Sequence, residues 1–241
     1  MEKQLILVLS GKKQSGKNTL ANFIIGRYLI RTNQISEFHI MENGCLLPSN
    51  RIRIIPEGAF NDCGYEGIKL YSFADPLKSF CMKVLGLTYE QCYGSDEEKN
   101  TFTFCKWDNI SENIKLKYGF KSGYMMARQV LQIFGTDMVR TMLSDAWPTA
   151  TYIKIKKEKK QLAIITDGRF PNEIKIGKDC GAISIRLMRD ICKKDNHPSE
   201  IALDGYKEFD KIFDNRTTSI EEQNEMVKPF LDDLFKKYFG D

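Results

Sequence analysis

The segment from Gly11 to Thr19 holds residues that could bind phosphate groups. Gly11 and Gly16 allow tight backbone turns, and Lys17 follows the second glycine directly. In such a loop, backbone N–H groups and the start of the next helix surround a polyphosphate, and the lysine adds a positive charge near the β- and γ-phosphates. We therefore predict a phosphate-binding loop; the alternative is a turn with an exposed lysine. The predicted nucleotide contacts in this loop are Gly11, Lys13, Ser15, Gly16, Lys17, Asn18 and Thr19.

One hydroxyl in this loop is displaced from its usual position. Asn18 stands where such loops carry the serine or threonine that helps to hold magnesium, and the hydroxyl follows one residue later on Thr19. Asp167 ends an apolar run far along the chain, so it is the natural magnesium partner, directly or through water. We predict a Mg²⁺ site at Thr19 and Asp167; the alternative role for Asp167 is a helix N-cap.

Three arginines lie beside predicted core elements rather than in charged runs. Phosphoryl transfer between two phosphorylated molecules gathers negative charges, which positive groups from several segments must offset. Arg128, Arg169 and Arg189 could supply them, and Arg169 would emerge at the carboxyl edge of a parallel sheet, where ligands of such folds bind. Arg128 and Gln132 share a helix face, so they could grip a phosphate and read a base. Surface salt bridges and a solvated helix face are the alternatives.

Short apolar runs that could be buried strands alternate with helical patterns along the chain. The predicted strands are residues 5–9, 69–73, 161–167, 182–189 and 211–215. The predicted helices follow the loop and also occupy residues 75–85, 126–142 with an interruption at 135–137, 173–180, and the segment from Ser219 onward. This alternation predicts an α/β fold with three α/β/α layers and a parallel central sheet of about five strands.

We predict one domain that carries three additional segments. Residues 33–66 contain turn residues and an alternating run at 51–54, which predict an inserted hairpin with an exposed strand. Residues 94–123 are charged, aromatic and weakly periodic, so we expect a mobile excursion outside the core. A polar stretch at about 190–206 is the predicted lid.

Composition limits the classes of protein that this chain can belong to. The 241 residues carry a net charge of only +4, so strong nucleic-acid binding is not expected, whereas a phosphorylated small ligand suits this balance. The seven cysteines form no Cys-x-x-Cys pair, which favours reduced thiols in a cytoplasm over disulfides or structural zinc. No apolar stretch has the length of a membrane helix. We expect a cytoplasmic protein, either a monomer or a homodimer.

Taken together, the motifs resemble those of the bacteriophage deoxynucleoside monophosphate kinases, a branch of the adenylate-kinase-like P-loop kinases. The resemblance extends over nearly the whole chain. It rests on the loop at 11–19, on residues 73–78, on Arg128-x-x-x-Gln132-x-x-Gly135-Thr136-Asp137, on residues 167–173 and on His197-Pro198-Ser199-Glu200.

This resemblance implies a P-loop kinase fold and transfer of the γ-phosphate of ATP to a deoxynucleoside monophosphate (dNMP), with Mg²⁺ and a lid, in the host cytoplasm if the protein is viral. Lys17 would stabilise the transferring group, Asp167 would organise magnesium, and Arg189 would contact ATP. The residues that the resemblance places at the acceptor are Arg128, Gln132, Gly135, Thr136, Asp137, Arg169 and Glu173. Base preference and the roles of His197 and Glu200 stay open.

Other functions remain possible at this point. A P-loop kinase could act on dephospho-coenzyme A or on a nucleoside, for which Asp75 is the available base. A nucleotide-dependent ATPase associated with nucleic acid is disfavoured by the balanced charge. An inactive nucleotide-binding scaffold is disfavoured by the presence of Lys17 and Asp167.

Overall fold

The computed structural model describes residues 4–49, 54–55, 60–190 and 201–240. The chain forms two compact units. The first combines Met1–Ser72 with Tyr152–Asp241, and the second is Phe73–Thr151. In the described residues, no helix is both long enough and apolar enough to cross a membrane.

The first unit is built on a five-stranded parallel sheet whose strand order is β2-β3-β1-β4-β5. These strands are β1 (Leu5–Ser10), β2 (Ile68–Tyr71), β3 (Leu162–Gly168), β4 (Ile183–Leu187) and β5 (Lys211–Phe213). Every residue of the central strand β1 is buried, as the uninterrupted apolar run predicts for a strand covered on both faces. The parallel order places the carboxyl ends of all five strands at one edge.

Helices cover both faces of this sheet. The helices Lys17–Arg31 and Ile220–Phe239 share one apolar core with alternate residues of β1. Helix Pro171–Asp179 packs against β4. The hydroxyl of Tyr152, at the middle of helix Ala146–Glu158, donates to the carbonyl of Glu173. The predicted three-layer α/β/α architecture with about five parallel strands is confirmed.

The segment 33–66 contains the inserted hairpin that the turn residues predict. Its strands Phe38–Ile40 and Leu46–Pro48 pair antiparallel, and Ile55 forms a single bridge to Leu46. A short 3₁₀ helix, Phe60–Asp62, follows. Residues 51–53, most of the predicted exposed strand, lie outside the described residues.

The second unit has its own apolar core, centred on Trp107, which is 1% exposed. Its strands Phe102–Lys106 and Tyr124–Met126 pair antiparallel. Its remaining elements are the helices Asp75–Leu85, Tyr89–Tyr93, Asp96–Lys99, Glu112–Tyr118, Ala127–Gln132 and Arg140–Met142, the 3₁₀ helix Trp107–Asn109, the π-helix Ile133–Val139, and the start of helix Ala146–Glu158.

Two expectations for this unit are wrong. Residues 94–123 form regular elements around a buried tryptophan instead of an excursion outside any core; the periodicity is weak because the elements are short and half-exposed. The helix at 126–142 is not broken at Gly135, because a π-helical turn carries the chain through that point.

Candidate functional site

The loop between β1 and helix Lys17–Arg31 has the backbone conformation that its glycines predict. Gly16 is the N-cap of the helix and has a left-handed φ of 92°, which favours glycine. A Cβ at Gly16 would lie 3.0 Å from the Gln223 Oε1. Gln14 also has a positive φ, 59°. The chain therefore turns tightly twice before the helix begins, and the helix N-terminus opens toward the loop.

The Lys17 side chain folds back over this loop. Its ammonium donates to the carbonyl oxygens of Gly11 at 2.8 Å and of Lys12 at 2.6 Å, and it lies 3.4 Å from the Ser15 Oγ. These oxygens are neutral, so an anionic phosphate would be a stronger partner for the same charge. The geometry keeps the cation where the loop N–H groups would meet a polyphosphate.

A cavity of about 400 Å³ opens over the loop. It is lined by Lys13, Gln14, Ser15, Gly16, Lys17, Asn18, Thr19, Arg189, Ile220 and Gln223. Arg189 is held there because its Nε donates to the Asn215 carbonyl at 3.0 Å and its guanidinium also bonds the carbonyl of Thr218. The structure thus brings Arg189 together with the predicted loop contacts.

Asp167 lies at the carboxyl end of β3, beside the start of the loop. The sheet register pairs Ser10, the last residue of β1, with Gly168 on one side and Arg186 on the other. The Asp167 Oδ2 accepts a hydrogen bond of 2.6 Å from the Ser72 hydroxyl. Thr19 lines the cavity, whereas Asp167 is not among its lining residues. Carboxylate and hydroxyl oxygens are hard donors of the kind that Mg²⁺ prefers, so the Mg²⁺ site at these two residues stays a prediction.

Glu173 organises the turn that carries Arg169. Its buried carboxylate accepts the N–H groups of Arg169 at 2.7 Å and of Phe170 at 3.1 Å, at the start of helix Pro171–Asp179. Both bonds end on the same oxygen, Oε2. Glu173 therefore holds the backbone of the Arg169 turn, and the acceptor contact that the resemblance implies stays a prediction.

In the second unit, Arg128 is held by acidic and amide groups of its own unit. Its guanidinium lies 2.7 Å from the Asp96 carboxylate, and its Nε donates to Asn100 at 3.0 Å. The Arg128 side chain is 38% exposed, and exposed ion pairs contribute only about 0–1 kcal/mol, so a phosphate could replace Asp96 at little cost. Arg128 and Gln132 both lie on helix Ala127–Gln132, four residues apart as predicted.

The residues Gly135, Thr136 and Asp137 lie together in the π-helix. The Gly135 carbonyl accepts the indole N–H of Trp147 at 3.0 Å. The Asp137 carboxylate accepts the Tyr118 hydroxyl at 2.6 Å and pairs with Lys117. Burial, and then this hydrogen bond, raise the pKa of Tyr118 above its usual range. Asp137 therefore fixes helix Glu112–Tyr118 of its own unit.

Comparisons with known proteins agree with these motifs. Residues 67–226 match the sequence model of a family described as "Deoxynucleotide monophosphate kinase". The match covers more than half of the chain. The chain belongs to this kinase family.

A protein of Acanthamoeba polyphaga mimivirus named "Putative deoxynucleotide monophosphate kinase" is 29% identical to this kinase over 169 residues, which are 65% of this chain and 79% of that protein. A solved structure titled "Crystal structure of APE1195" covers 97% of this chain and 98% of its own at 9% identity, with a TM-score of 0.35, a likeness too weak to inform on fold or function.

Sequence reasoning missed two basic residues, Arg186 and Lys12, whose contacts lie at this loop. The Arg186 guanidinium donates to the Ser10 Oγ at 2.9 Å and lies 4.0 Å from Asp204. Lys12 lies 3.0 Å from Asp204 and 3.4 Å from Asp190. The bond to Asp204 is the largest cause that raises the pKa of Lys12, whereas burial lowers the pKa of Arg186. An arginine inside the apolar strand β4 was the available sequence signal.

Asn215 and Gln223 were also missed, although both are buried at the loop. Asn215 stands in the segment predicted as a strand, and Gln223 resembles any polar residue of an amphipathic helix. The predicted lid at 190–206 is described only at its ends. His197, Ser199 and Glu200 lie outside the described residues.

Proposed function

We propose that this protein transfers the γ-phosphate of ATP to a deoxynucleoside monophosphate and releases ADP and a deoxynucleoside diphosphate. The observation that carries the proposal is the cavity over the loop of Gly11 to Thr19. Lys17 of the loop and Arg189, which follows β4, both line this cavity. This arrangement supplies N–H groups and two cations to one polyphosphate. Membership of the deoxynucleotide monophosphate kinase family supports the acceptor class.

The first unit supplies the groups for the donor nucleotide in this proposal. Lys17 exchanges the carbonyls of Gly11 and Lys12 for β- and γ-phosphate oxygens, and it stabilises the charge that develops during transfer. Arg189, which lines the same cavity, is proposed to bind the same phosphates. Thr19 and Asp167 would hold Mg²⁺, which would neutralise phosphate charge when bound.

Residues of the second unit are proposed to bind the acceptor. Arg128 grips the monophosphate after leaving Asp96, and Gln132, one helical turn away, reads the base edge. Gly135, Thr136 and Asp137 are proposed to contribute to the same acceptor region. In the first unit, Arg169 is proposed as a further cation for phosphate groups. No general base is required, because the acceptor phosphate is already an anionic nucleophile. Positioning and charge neutralisation then account for most of the rate.

We propose the cytoplasm as the compartment, or the host cytoplasm if the protein is viral. This proposal rests on the cysteine usage of the sequence, which has seven cysteines and no Cys-x-x-Cys pair.

The direct test incubates the protein with ATP, Mg²⁺ and each of the four dNMPs separately, and resolves the nucleotides by anion-exchange chromatography. We expect ADP and a dNDP in equal amounts with at least one dNMP, and little ADP when the acceptor is omitted. Parallel reactions with ribonucleoside monophosphates, dephospho-coenzyme A and deoxynucleosides test the other acceptors. ATP hydrolysis that nucleic acid stimulates, without transfer to any monophosphate, would overturn the proposal.

A further inference from the structure

Asn215 joins three segments at the nucleotide cavity. It lies two residues after β5 and is fully buried. Its Nδ2 donates to the carbonyl of Ser15 at 2.9 Å and to the Oε1 of Gln223 at 2.6 Å, and its Oδ1 accepts the backbone N–H of Arg189 at 2.9 Å. One side chain therefore contacts the loop, the C-terminal helix and the segment that carries the cavity arginine.

These contacts use both donor hydrogens and one acceptor position of the amide, and they fix its orientation. The Ser15 carbonyl can only accept and the Arg189 N–H can only donate, so Nδ2 must face the loop and Oδ1 must face Arg189. A flipped amide would set Oδ1 against the Ser15 carbonyl and the Gln223 Oε1, and Nδ2 against the Arg189 N–H. Both Nδ2 hydrogens are then committed, one to Ser15 and one to Gln223.

The position of Asn215 matters because its partners define the two sides of the cavity. Ser15 directly precedes Gly16, the N-cap of the helix whose N–H groups face the phosphates. Arg189 is bound twice by Asn215, through its backbone N–H and through its Nε to the Asn215 carbonyl at 3.0 Å. Gln223, itself 1% exposed, lines the same cavity and accepts from the Asn215 Nδ2.

We infer that Asn215 is a positioning residue for the donor nucleotide: it sets the distance between the phosphate-binding loop and Arg189, and Gln223 holds it in place. This inference rests on the proposed function for the identity of the ligand. It makes Asn215 necessary for nucleotide affinity although it need not touch the nucleotide.

The test replaces Asn215 by aspartate, which has the same shape. Asn215→Asp keeps an acceptor for the Arg189 N–H but loses both donors and sets an oxygen against the Ser15 carbonyl. We expect the Kd for ATP, measured by isothermal titration calorimetry, to rise at least tenfold, while the KM for the best dNMP changes less than threefold.

A matched control separates positioning from general destabilisation. Asn22 is also buried, and its Nδ2 donates to the Gly44 carbonyl at 2.9 Å, away from the cavity. Asn22→Asp likewise replaces a buried side-chain amide by a carboxylate at a similarly buried position. We expect it to lower the unfolding temperature and to leave the Kd for ATP within twofold of the original protein.

A double-mutant cycle with Arg189→Ala tests the route of the effect. If Asn215 acts in part through Arg189, the loss of ATP affinity from Asn215→Asp is smaller in the Arg189→Ala background. If Asn215→Asp does not fold, Gln223→Met removes one partner of Asn215 at similar volume, and the Kd should rise two- to fivefold.

Three results would overturn the inference: Asn215→Asp, or Gln223→Met in its place, binding ATP as the original protein does; Asn22→Asp weakening ATP binding equally; or full additivity with Arg189→Ala. Because calorimetry reads binding without transfer, a protein that binds ATP but phosphorylates no dNMP contradicts the proposed function and leaves the inference about Asn215 standing.

Discussion

Replacing Glu173 by alanine is expected to lower the free energy of unfolding by about 3 kcal/mol. The carboxylate is 1% exposed, and one of its oxygens accepts N–H groups from Arg169 and Phe170. Each hydrogen bond to a charged acceptor contributes about 1.5–3 kcal/mol, but water can replace part of this on the partly buried turn. The lower end of the summed range is therefore the expected loss.

Glu173→Gln is the matched variant, because its amide oxygen can occupy the place of Oε2 and accept from both N–H groups. Only the charge is lost, so we expect the free energy of unfolding to fall by about 1 kcal/mol. Urea denaturation followed by circular dichroism gives both values. In thermal unfolding, about 2–4 °C per kcal/mol for a chain of this size corresponds to about 6–12 °C for Glu173→Ala.

Transfer activity decides between a positioning role and direct contact with substrate. If Glu173 only holds the Arg169 turn, Glu173→Gln should keep kcat/KM within about threefold of the original, which is less than 1 kcal/mol of transition-state stabilisation. A loss of about 100-fold in Glu173→Gln, with Glu173→Ala as stable as the original protein, would refute the reasoning and return Glu173 to the acceptor site.

Three further predictions concern separate parts of the chain. Lys17→Ala should lower kcat for transfer by about 10²–10³-fold while circular dichroism remains unchanged, because a preorganised charge is removed; near-normal turnover would exclude the proposed role. Trp107→Ala should destabilise the second unit by about 3–5 kcal/mol, measured by urea denaturation and limited proteolysis, because a buried ring is lost; an unchanged midpoint would contradict a packed core there. Burial raises the pKa of Cys81 to about 12 and also raises that of Cys92. A higher pKa means less thiolate, so both should alkylate with iodoacetamide more slowly than the half-buried Cys63 at about pH 8.5 in the folded protein, as followed by mass spectrometry, and at equal rates in urea; equal rates in the folded protein would contradict this.

The sequence was a reliable guide where one local pattern determines one element. Each strand of the parallel sheet lies within two residues of its prediction, because short apolar runs bounded by turn residues are typical of strands in a parallel sheet. The last helix was predicted from Ser219 onward, and Ser219 is its N-cap. The loop and its helix follow from two glycines and Lys17.

The parts that could not be predicted depend on partners that are distant in the chain. Ser72 was expected inside a strand, but the strand ends at Tyr71. The Ser72 hydroxyl instead donates to Asp167, 95 residues away. Asn215 was also expected at a strand end, and it bonds Ser15 across 200 residues. No local spacing reports such pairs. These hydrogen bonds form because the folded sheet brings the carboxyl ends of distant strands together.

The π-helical turn at Ile133–Val139 changes the angular register of the second unit. Each α-helical residue advances about 100° around the axis, whereas the wider i→i+5 turn holds one additional residue. A helical wheel drawn with a regular α-helical period through this stretch therefore assigns the following residues to wrong faces of the helix. Deleting one residue here would restore a regular helix and rotate the following chain by about 100°, which would pull the Trp147 indole away from the Gly135 carbonyl. The length of this segment is constrained as strictly as its chemistry.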